Sequence, residues 1–460
     1  MIKSREMNMT SGPLLKNLIL FALPIVGINV LQLLFNAADV AILGIFASDQ
    51  AVAAVGATTS IVNLFVGFFI GLSLSANVLV ARSIGANDAD GTKRFVGTSI
   101  AVSLVFGLIL TVIGVLGAET FLSWVKCPSS IIKMSATYIR IYFLGMPIIM
   151  LYNFSAAIMR AVGDTLRPFY FLIVGGVLNV LLNVFFILVL GKDVEGVAIA
   201  TVASQGVTAA LSLWVLIKGN GIAKLEKKHF RIYKNEFKEI LIIGVPTGLQ
   251  RCMFSISNLV LQSTLNSFGD LVIAGNTIGH QFDAIIHDAT DAFASSALSF
   301  ISQNYGAKNF KRIWKVIYES LFLTFVVGMT LGLISVILAP NLCDIMSNDP
   351  KVISYGATRI RIMGAFYFLT GAFNVFSNVL RGIGRPLIAM VCSVMTTVVF
   401  RIAWVYTIFK INPTLNTFYA VYPVSWGLCA LVIGIGAVYF LKKTQKKHEQ
   451  EEQIKQTENM

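Results

Sequence analysis

Five ionisable residues occur within one apolar stretch of the chain: His280, Asp283, His287, Asp288 and Asp291. On an α-helix that turns by roughly 100° per residue, their side chains fall within an arc of about 140°. Histidine and aspartate together exchange protons across the physiological pH range, and aspartate also binds organic cations. The stretch therefore predicts a proton relay or a contact for a cationic substrate. The alternative is a polar network that only fixes helix packing.

A second polar group is predicted in the first half of the chain. Asp39 is the one acid well inside an apolar segment there, roughly 30 Å above the start of its helix. Asn179 and Asn183 are four residues apart and share a helix face, and Thr201 lies at a similar depth in the next segment. We expect these four residues to form an oxygen-rich pocket for a proton or a small cation. For the amides and the hydroxyl, the alternative is hydrogen bonding between helices.

Asp39 is the strongest candidate of that group, because a carboxylate inside a membrane is a functional candidate by default. Burial favours the neutral form of a carboxylic acid, which suits a group that takes up and releases protons. In the second half, Arg251 lies about 18 Å above the start of its helix, a depth similar to that of Asp283. We expect Arg251 to pair with Asp283 or Asp288, with Arg401 competing for the same acids.

Composition identifies the setting of these residues. The chain has 460 residues, of which 56% are hydrophobic and 13% charged, and its apolar runs have the length of about 20 residues that spans a bilayer as a helix. The net charge of +13 lies in short hydrophilic gaps, as in cytoplasmic loops, so no nucleic acid is expected as a partner. The five cysteines have no metal-ligand spacing and no nucleotide-binding motif occurs, so we expect no metal and no organic cofactor. No nucleophile–base constellation occurs either, so we expect no enzymatic activity.

The elements that must position the candidate residues are twelve predicted transmembrane helices. Lysine and arginine are concentrated in alternate loops, which predicts that both termini are cytoplasmic. The predicted spans are 14–46, 51–81, 95–117, 132–158, 169–191, 197–217, 239–267, 271–302, 313–339, 352–380, 386–410 and 423–441. The predicted domains are an amino-terminal lobe (1–217), a basic cytoplasmic linker (218–238), a carboxy-terminal lobe (239–441) and a charged, disordered cytoplasmic tail (442–460).

An internal repeat divides these helices into two homologous bundles of six. Three short segments of the first half recur in the second half, each displaced by 221 residues. The pairs are SATYIRI at 135–141 with GATRIRI at 356–362, IMRAVG at 158–163 with VLRGIG at 379–384, and IGAN at 84–87 with YGAK at 305–308. Six is an even number, so both halves start on the same side of the membrane, and such parallel repeats place a substrate path between two lobes that rock against each other.

These features together resemble one family of transporters. The pattern LPIVGINVLQLLFNAADVAILG of the first helix, the turns ARSIGAND, SQNYGAKN, MRAVGDTLRP and RGIGRP, and the twofold repeat are similar to the multidrug and toxic compound extrusion (MATE) family. The resemblance covers nearly the whole chain to about residue 441. It implies a V-shaped, two-lobe, all-α transporter that exports organic cations or amphipathic toxins by antiport with protons or sodium.

The chain departs from that family in two places. One family branch has an Asp in the first helix and an Asn and an Asp in the fifth; Asp39 and Asn179 match this pattern, but Asn183 stands where the second Asp is expected. A lone carboxylate favours protons over sodium as the coupling ion. The other branch has an acid in the seventh helix, where this chain has Arg251 and no acid. The charged stripe formed by His280, Asp283, His287, Asp288 and Asp291 has no counterpart in either pattern.

The leading hypothesis is therefore a monomeric, multi-pass efflux transporter of the cell membrane that couples export of small molecules to an ion gradient. Its main rival is a flippase for lipid-linked precursors, which needs a cationic cavity for phosphates. Arg251 and Arg401 favour the rival, whereas the acids around Asp283 favour the efflux transporter. A receptor or scaffold without transport does not account for buried titratable groups.

Overall fold

The computed structural model describes residues 6–219 and 221–458, and the regular elements in these ranges are helices. In chain order they are α1 (Leu14–Phe46), α2 (Asp49–Gly85), α3 (Ala89–Trp124), α4 (Ile132–Leu144), α5 (Met146–Ala161), α6 (Leu166–Leu188), α7 (Val194–Lys218), a 3₁₀ turn (Lys227–His229), α8 (Lys234–Asn266), α9 (Asp270–Gly306), α10 (Phe310–Ile337), α11 (Ala339–Asp344), α12 (Pro350–Gly364), α13 (Tyr367–Gly382), α14 (Pro386–Ser393), a π-helical stretch (Val394–Val399), α15 (Phe400–Tyr406), α16 (Ile408–Ile411) and α17 (Leu415–Glu458). Helices are the expected solution for a chain in lipid, because each satisfies its own backbone hydrogen bonds.

Nine helical segments in the described ranges are long and apolar enough to cross a membrane, if α14 to α16 with the π-helical stretch between them (Pro386–Ile411) count as one segment. Two bent pairs raise the number to eleven if each pair is one span: α4 with α5, bent by 49°, and α12 with α13, bent by 48°. Helix α9 is not among them, because its histidines and aspartates lower its hydropathy. The all-helical, polytopic fold class is thus confirmed, while the number twelve stays a prediction.

The chain divides into two compact units whose boundaries lie inside two helices. The first unit contains the segment that ends at Asn8 together with Pro24–Cys252, and the second contains Met9–Leu23 together with the chain from Met253 onward. The sequence boundaries at 217 and 239 differ from these, because the first part of α1 packs in the second unit and the first part of α8 packs in the first. Hydropathy marks where a helix starts, but it does not show which bundle each half of the helix contacts.

Within the first unit, α8 approaches α2 at a pair of glycines. A Cβ atom added to Gly71 would lie 2.6 Å from the Cα atom of Gly248, a distance at which one backbone must move. Small residues at such crossings let helices pack closely where no hydrophobic effect drives them together in lipid. Further packing joins α2, α3, α5 and α7, and α6 packs against α7.

Within the second unit, α9 is the central helix. It packs against α10, α12 and α13, and most of its last four turns is buried. Asn378 of α13 donates a hydrogen bond of 2.8 Å from its side-chain amide to the backbone carbonyl of Ala294. This position explains why a helix with several ionisable residues is stable here, since its polar face meets protein and a cavity rather than lipid.

The internal repeat is visible in the backbone of both units. Asp88 and Asn309 are 221 residues apart, and each caps a helix by accepting a hydrogen bond from a backbone amide of the first turn of α3 or α10. The preceding residues, Asn87 and Lys308, both adopt left-handed backbone angles, with φ of 56° and 57°. The repeated turns therefore have the structural role of ending one helix and starting the next.

The carboxy-terminal tail is helical in the structure, whereas the sequence predicted disorder for residues 442–460. Helix α17 continues to Glu458, and residues 459 and 460 lie outside the described ranges. Two contacts dock the tail on α10: the indole Nε1 of Trp314 donates to the Gln445 side chain at 3.2 Å, and the rings of Phe310 and His448 lie 5.6 Å apart. The prediction was wrong because charge content alone does not reveal such docking or the i,i+4 pairs along the tail.

The predicted linker is also partly structured. Helix α8 begins at Lys234, and the 3₁₀ turn packs on α3. Ion pairs join Lys93 to Glu226 at 2.6 Å and Arg94 to Glu236 at 3.0 Å. Asn220 lies outside the described ranges.

Candidate functional site

The structure brings the four predicted residues of the first unit into one hydrogen-bonded chain. The side-chain amide of Asn183 donates to Asp39 Oδ1 at 2.5 Å and approaches Asn179 Oδ1 at 3.4 Å. The amide of Asn179 in turn donates to Thr201 Oγ1 at 3.4 Å. The chain joins α1, α6 and α7, and the four-residue spacing of the two asparagines allows one helix to supply its centre.

Burial makes this network more than a surface contact. Asn183 is fully buried, Asn179 is buried and Asp39 is partly exposed. Within the described part of the chain, the carbonyl oxygen of Asn183 is buried and accepts no hydrogen bond. Asp39 therefore presents a carboxylate at the edge of a buried cluster of amide and hydroxyl oxygens, a donor set that suits a proton or a hard monovalent cation.

Two phenol groups complete the surroundings of Asp39. Tyr138 and Tyr142 of α4 lie within range of an electrostatic interaction with Asp39. Their rings are stacked with centroids 6.0 Å apart. The sequence analysis did not single out either tyrosine. The available sequence signal for Tyr138 is its place in the repeated segment SATYIRI. In the structure, Tyr138 packs in the core that α4 shares with α1 and α7.

In the second unit, Asp283 forms a buried ion pair with Arg359 of α12. Nε of Arg359 lies 2.6 Å from Asp283 Oδ2, and the two side chains are only 5% and 4% exposed. The same guanidinium donates to Asn276 Oδ1 at 2.6 Å, and the hydroxyl of Tyr419 reaches that oxygen at 3.4 Å. Tyr367 also lies beside the Asp283 carboxylate. This pair anchors α9 to α12 and α17.

The predicted pairing of Arg251 with Asp283 is thus corrected, whereas the alternative pairing of Arg251 with Asp288 stays a prediction. Asp283 has Arg359 as its partner, and Arg251 is an exposed residue of the first unit. Helix counting estimates the depth of Arg251, but depth does not give the direction of a side chain around its helix. Arg359 lies in the repeated segment GATRIRI, where it stands at the position that Tyr138 has in SATYIRI, and that substitution was the available signal.

Four of the five residues of the α9 stripe line one cavity of about 470 Å³. They are His280, Asp283, His287 and Asp288, and Nδ1 of His287 lies 3.3 Å from Asp288 Oδ1. Asp291 is not among the lining residues, and its Oδ2 accepts a hydrogen bond of 3.4 Å from the Ser295 hydroxyl. The first four residues of the stripe therefore face the cavity, and Asp291 at its end does not line the cavity.

Aromatic and aliphatic side chains form much of the remaining cavity wall. The lining aromatic residues are Phe254, Tyr367, Phe373, Phe418, Tyr422 and Trp426. A concave, largely apolar site with a few convergent polar groups is the usual form of a small-molecule site, and its volume lies within the usual range. Within the described residues, no three His, Cys, Asp or Glu side chains converge to hold a metal ion.

The sequence analysis expected Arg401 to compete for the acids of α9. Arg401 lines the same cavity, but among the described residues its side chain contacts a hydroxyl and an aromatic ring instead. Its side chain is 6% exposed, and its Nε donates to the Ser425 hydroxyl at 3.0 Å. The guanidinium carbon lies 4.8 Å from the centre of the Tyr422 ring. Arg401 is therefore a buried cation that α17 holds by a neutral hydroxyl and a π-face.

The MatE family model matches the chain twice, over residues 24–185 and 246–407. The probable multidrug resistance protein YpnP of Bacillus subtilis (strain 168) is 26% identical over 396 residues, which cover 85% of this chain and 88% of that protein. The probable multidrug resistance protein NorM of Thermotoga maritima is 27% identical over 391 residues, which cover 82% of each chain.

The fold agrees with that assignment. A solved MOP superfamily transporter from Pyrococcus furiosus superposes with a TM-score of 0.88 at 22% identity, covering 96% of this chain and 98% of that one. The two family matches coincide with the two halves that the repeat defined, and the resemblance drawn from the turns is confirmed. The chain therefore belongs to the MatE family, whose members are membrane transporters and not enzymes.

Proposed function

We propose that this transporter exports cationic or amphipathic small molecules by antiport with protons or sodium, through alternating access of its two lobes. The observation that carries the proposal is the hydrogen-bonded chain of Asp39, Asn183, Asn179 and Thr201, which sets one carboxylate against buried oxygen ligands. A group that binds an ion in one conformation and releases it in another converts an ion gradient into a population shift.

Protons are the favoured coupling ion. A proton needs one carboxylate that alternates between two charge states, and Asp39 is that group. Sodium is better held by more negative charge, whereas the neighbour of Asp39 is the neutral amide of Asn183. The partly exposed position of Asp39 gives the ion a route to it.

The cavity of about 470 Å³ is the proposed cargo site. Its aromatic walls suit the apolar part of an amphipathic molecule, and Asp288 beside His287 offers a negatively charged group to a cationic one.

We propose that the protein acts as a monomer in the plasma membrane. Both of its termini would lie in the cytoplasm, because lysines and arginines are concentrated in the loops on that side. Its one small co-substrate is the coupling ion.

A flippase for lipid-linked precursors is the second candidate. The observation that favours it is the presence of two buried arginines, Arg359 and Arg401, in the cavity wall. Asp283 neutralises the first of them, which leaves a weaker cationic surface than a pyrophosphate requires.

Inverted membrane vesicles test the leading proposal. A proton gradient and a sodium gradient are imposed separately, and uptake of ethidium (a cation) and of riboflavin 5′-phosphate (an amphipathic anion) is followed by fluorescence. The Asp39→Asn protein should lose gradient-driven uptake of whichever probe the native protein transports. Asp49→Asn, which removes an exposed acid at the start of α2, is the matched control. Uptake that is unchanged in Asp39→Asn would refute the coupling role.

A further inference from the structure

The cavity of the second unit contains a buried charge, Arg401, for which the described residues provide no counter-ion. The ionisable residues in its wall are His280, Asp283, His287, Asp288, Arg359 and Arg401. Asp283 and Arg359 neutralise each other at 2.6 Å, and Asp288 lies 3.3 Å from His287. Arg401 has no carboxylate within ion-pairing distance among residues 6–219 and 221–458.

The contacts of Arg401 leave most of its hydrogen-bonding capacity unused. A guanidinium has five N–H donors, and in the described part of the chain only Nε donates, to Ser425. The terminal nitrogens have no protein acceptor there, although the residue is 6% exposed and lines the cavity. A buried cation in this position is costly unless an anion or water meets it.

Arg359 provides an internal comparison. Both guanidinium groups lie near the ring of Tyr422, with carbon-to-centroid distances of 5.7 Å for Arg359 and 4.8 Å for Arg401. The protein supplies Arg359 with a carboxylate and an amide oxygen. Among the described residues it supplies Arg401 with one hydrogen-bond acceptor, the Ser425 hydroxyl. The two arginines of the cavity thus differ in one partner: Arg359 has a carboxylate, and a ligand could provide the corresponding anion for Arg401.

We infer that Arg401 binds an acidic group of the cargo, a carboxylate or a phosphate on an aromatic or amphipathic molecule, in the second-unit cavity. Planar guanidinium groups bind both kinds of anion through paired N–H donors. The ring of Tyr422 lies beside Arg401 and packs against that of Trp426, and both rings line the cavity, which favours an aromatic body beside the acidic group. The inference rests on the proposed function, because it takes this cavity as the cargo site and names the chemistry of the cargo.

Equilibrium binding to the purified, full-length protein in phosphatidylcholine nanodiscs tests the inference without any ion gradient. Two matched pairs of probes differ mainly by the acidic group: riboflavin 5′-phosphate with riboflavin, and 2-naphthoate with 2-naphthamide. We expect the native protein to bind the acidic member of at least one pair at least about tenfold more tightly. Equal affinities within both pairs would overturn the inference.

Substitution of the arginine should remove this preference. Arg401→Gln is expected to weaken binding of the acidic probe by about 10–100-fold and to change binding of the neutral probe by less than about threefold. Arg401→Lys retains the charge and should restore part of the preference. Arg361→Gln, which removes an exposed arginine of α12 outside the cavity, is the matched control. A preference that survives in Arg401→Gln would contradict the assignment.

A readout on the native protein covers the case in which Arg401→Gln does not fold. At equal concentration, the acidic probe should raise the thermal unfolding temperature more than its neutral partner, because tighter binding to the native state stabilises it more. Equal shifts would count against the inference.

The source of the anion is distinguished by competition. Displacement of the probe by phosphatidylglycerol in the nanodisc would identify a lipid headgroup as an occupant, and displacement by inorganic phosphate or benzoate alone would identify a soluble acid. Either result supports an anion site at Arg401. Because these measurements involve no transport, a defect of Asp39→Asn uptake and a failure of acid binding are separate outcomes.

Discussion

Asn183 and Arg401 lie at the same distance along the chain from an Arg-Pro turn, one in each half of the protein. Asn183 follows Pro168 of α6 by fifteen residues, and Arg401 follows Pro386 of α14 by fifteen residues. Asn183 donates to the Asp39 carboxylate, whereas Arg401 faces a cavity and donates to a hydroxyl. Tyr138 and Arg359, which are 221 residues apart, occupy the same position of the repeated segments SATYIRI and GATRIRI. The two units thus differ in their charged groups: the first-unit cluster has one carboxylate beside neutral amides, and the second-unit cavity has two arginines, of which Asp283 neutralises Arg359.

Addition of a second carboxylate beside Asp39 should change the coupling ion. In Asn183→Asp, two acids face the oxygens of Asn179 and Thr201, and closely spaced acids favour either a shared proton or a bound cation. We expect uptake into inverted vesicles to acquire a dependence on the sodium gradient. Asn183→Leu, which removes the hydrogen bond to Asp39, is the comparison. A sodium dependence identical in native protein and Asn183→Asp would contradict this prediction.

Breaking the Asp283–Arg359 pair should destabilise the second unit. Removal of one member leaves an uncompensated buried charge, which costs about 3–5 kcal/mol. We therefore expect Asp283→Asn and Arg359→Met each to lower the thermal unfolding temperature in detergent. The double variant should recover much of the loss, because it buries no lone charge. Arg361→Met serves as the exposed control in the same helix. Additive losses in the double variant would contradict the direct pairing of the two charges.

The sequence predicted which four side chains meet in the first unit, but not the ion pair of the second unit. Asp39, Asn179, Asn183 and Thr201 were predicted together because helix spacing and depth agree across three segments, and the structure joins them. The partner of Asp283 was missed because it depends on the direction in which each side chain leaves its helix. The depth of a residue along the helix does not give that direction. The repeat held the missing information, since it aligns Arg359 with Tyr138.

The two ends of the α9 stripe should respond differently to neutral substitution. Asp288 lines the cavity, whereas Asp291 does not and accepts a hydrogen bond from Ser295. Asp288→Asn is expected to change the affinity for ethidium by several-fold, because it removes a negative charge from the cavity wall. Asp291→Asn, one helical turn away, should stay within about twofold of the native affinity. Binding in nanodiscs measures both, and equal effects at the two positions would refute the assignment of a cavity side.

The close approach of α2 and α8 gives a prediction with a control in the same helix. In Gly71→Ala, the new Cβ atom would lie 2.6 Å from Gly248 Cα, so the two helices must separate. Such overpacking costs about 1–3 kcal/mol, and the unfolding temperature should fall. Nothing lies within 4 Å of a Cβ atom at Gly56 of α2, so Gly56→Ala should be neutral or stabilising, since alanine favours a helix over glycine by about 1 kcal/mol. If Gly71→Ala is as stable as Gly56→Ala, the contact between Gly71 and Gly248 is looser than the structure shows. A loss confined to Gly71→Ala would instead confirm that the first part of α8 packs within the first unit.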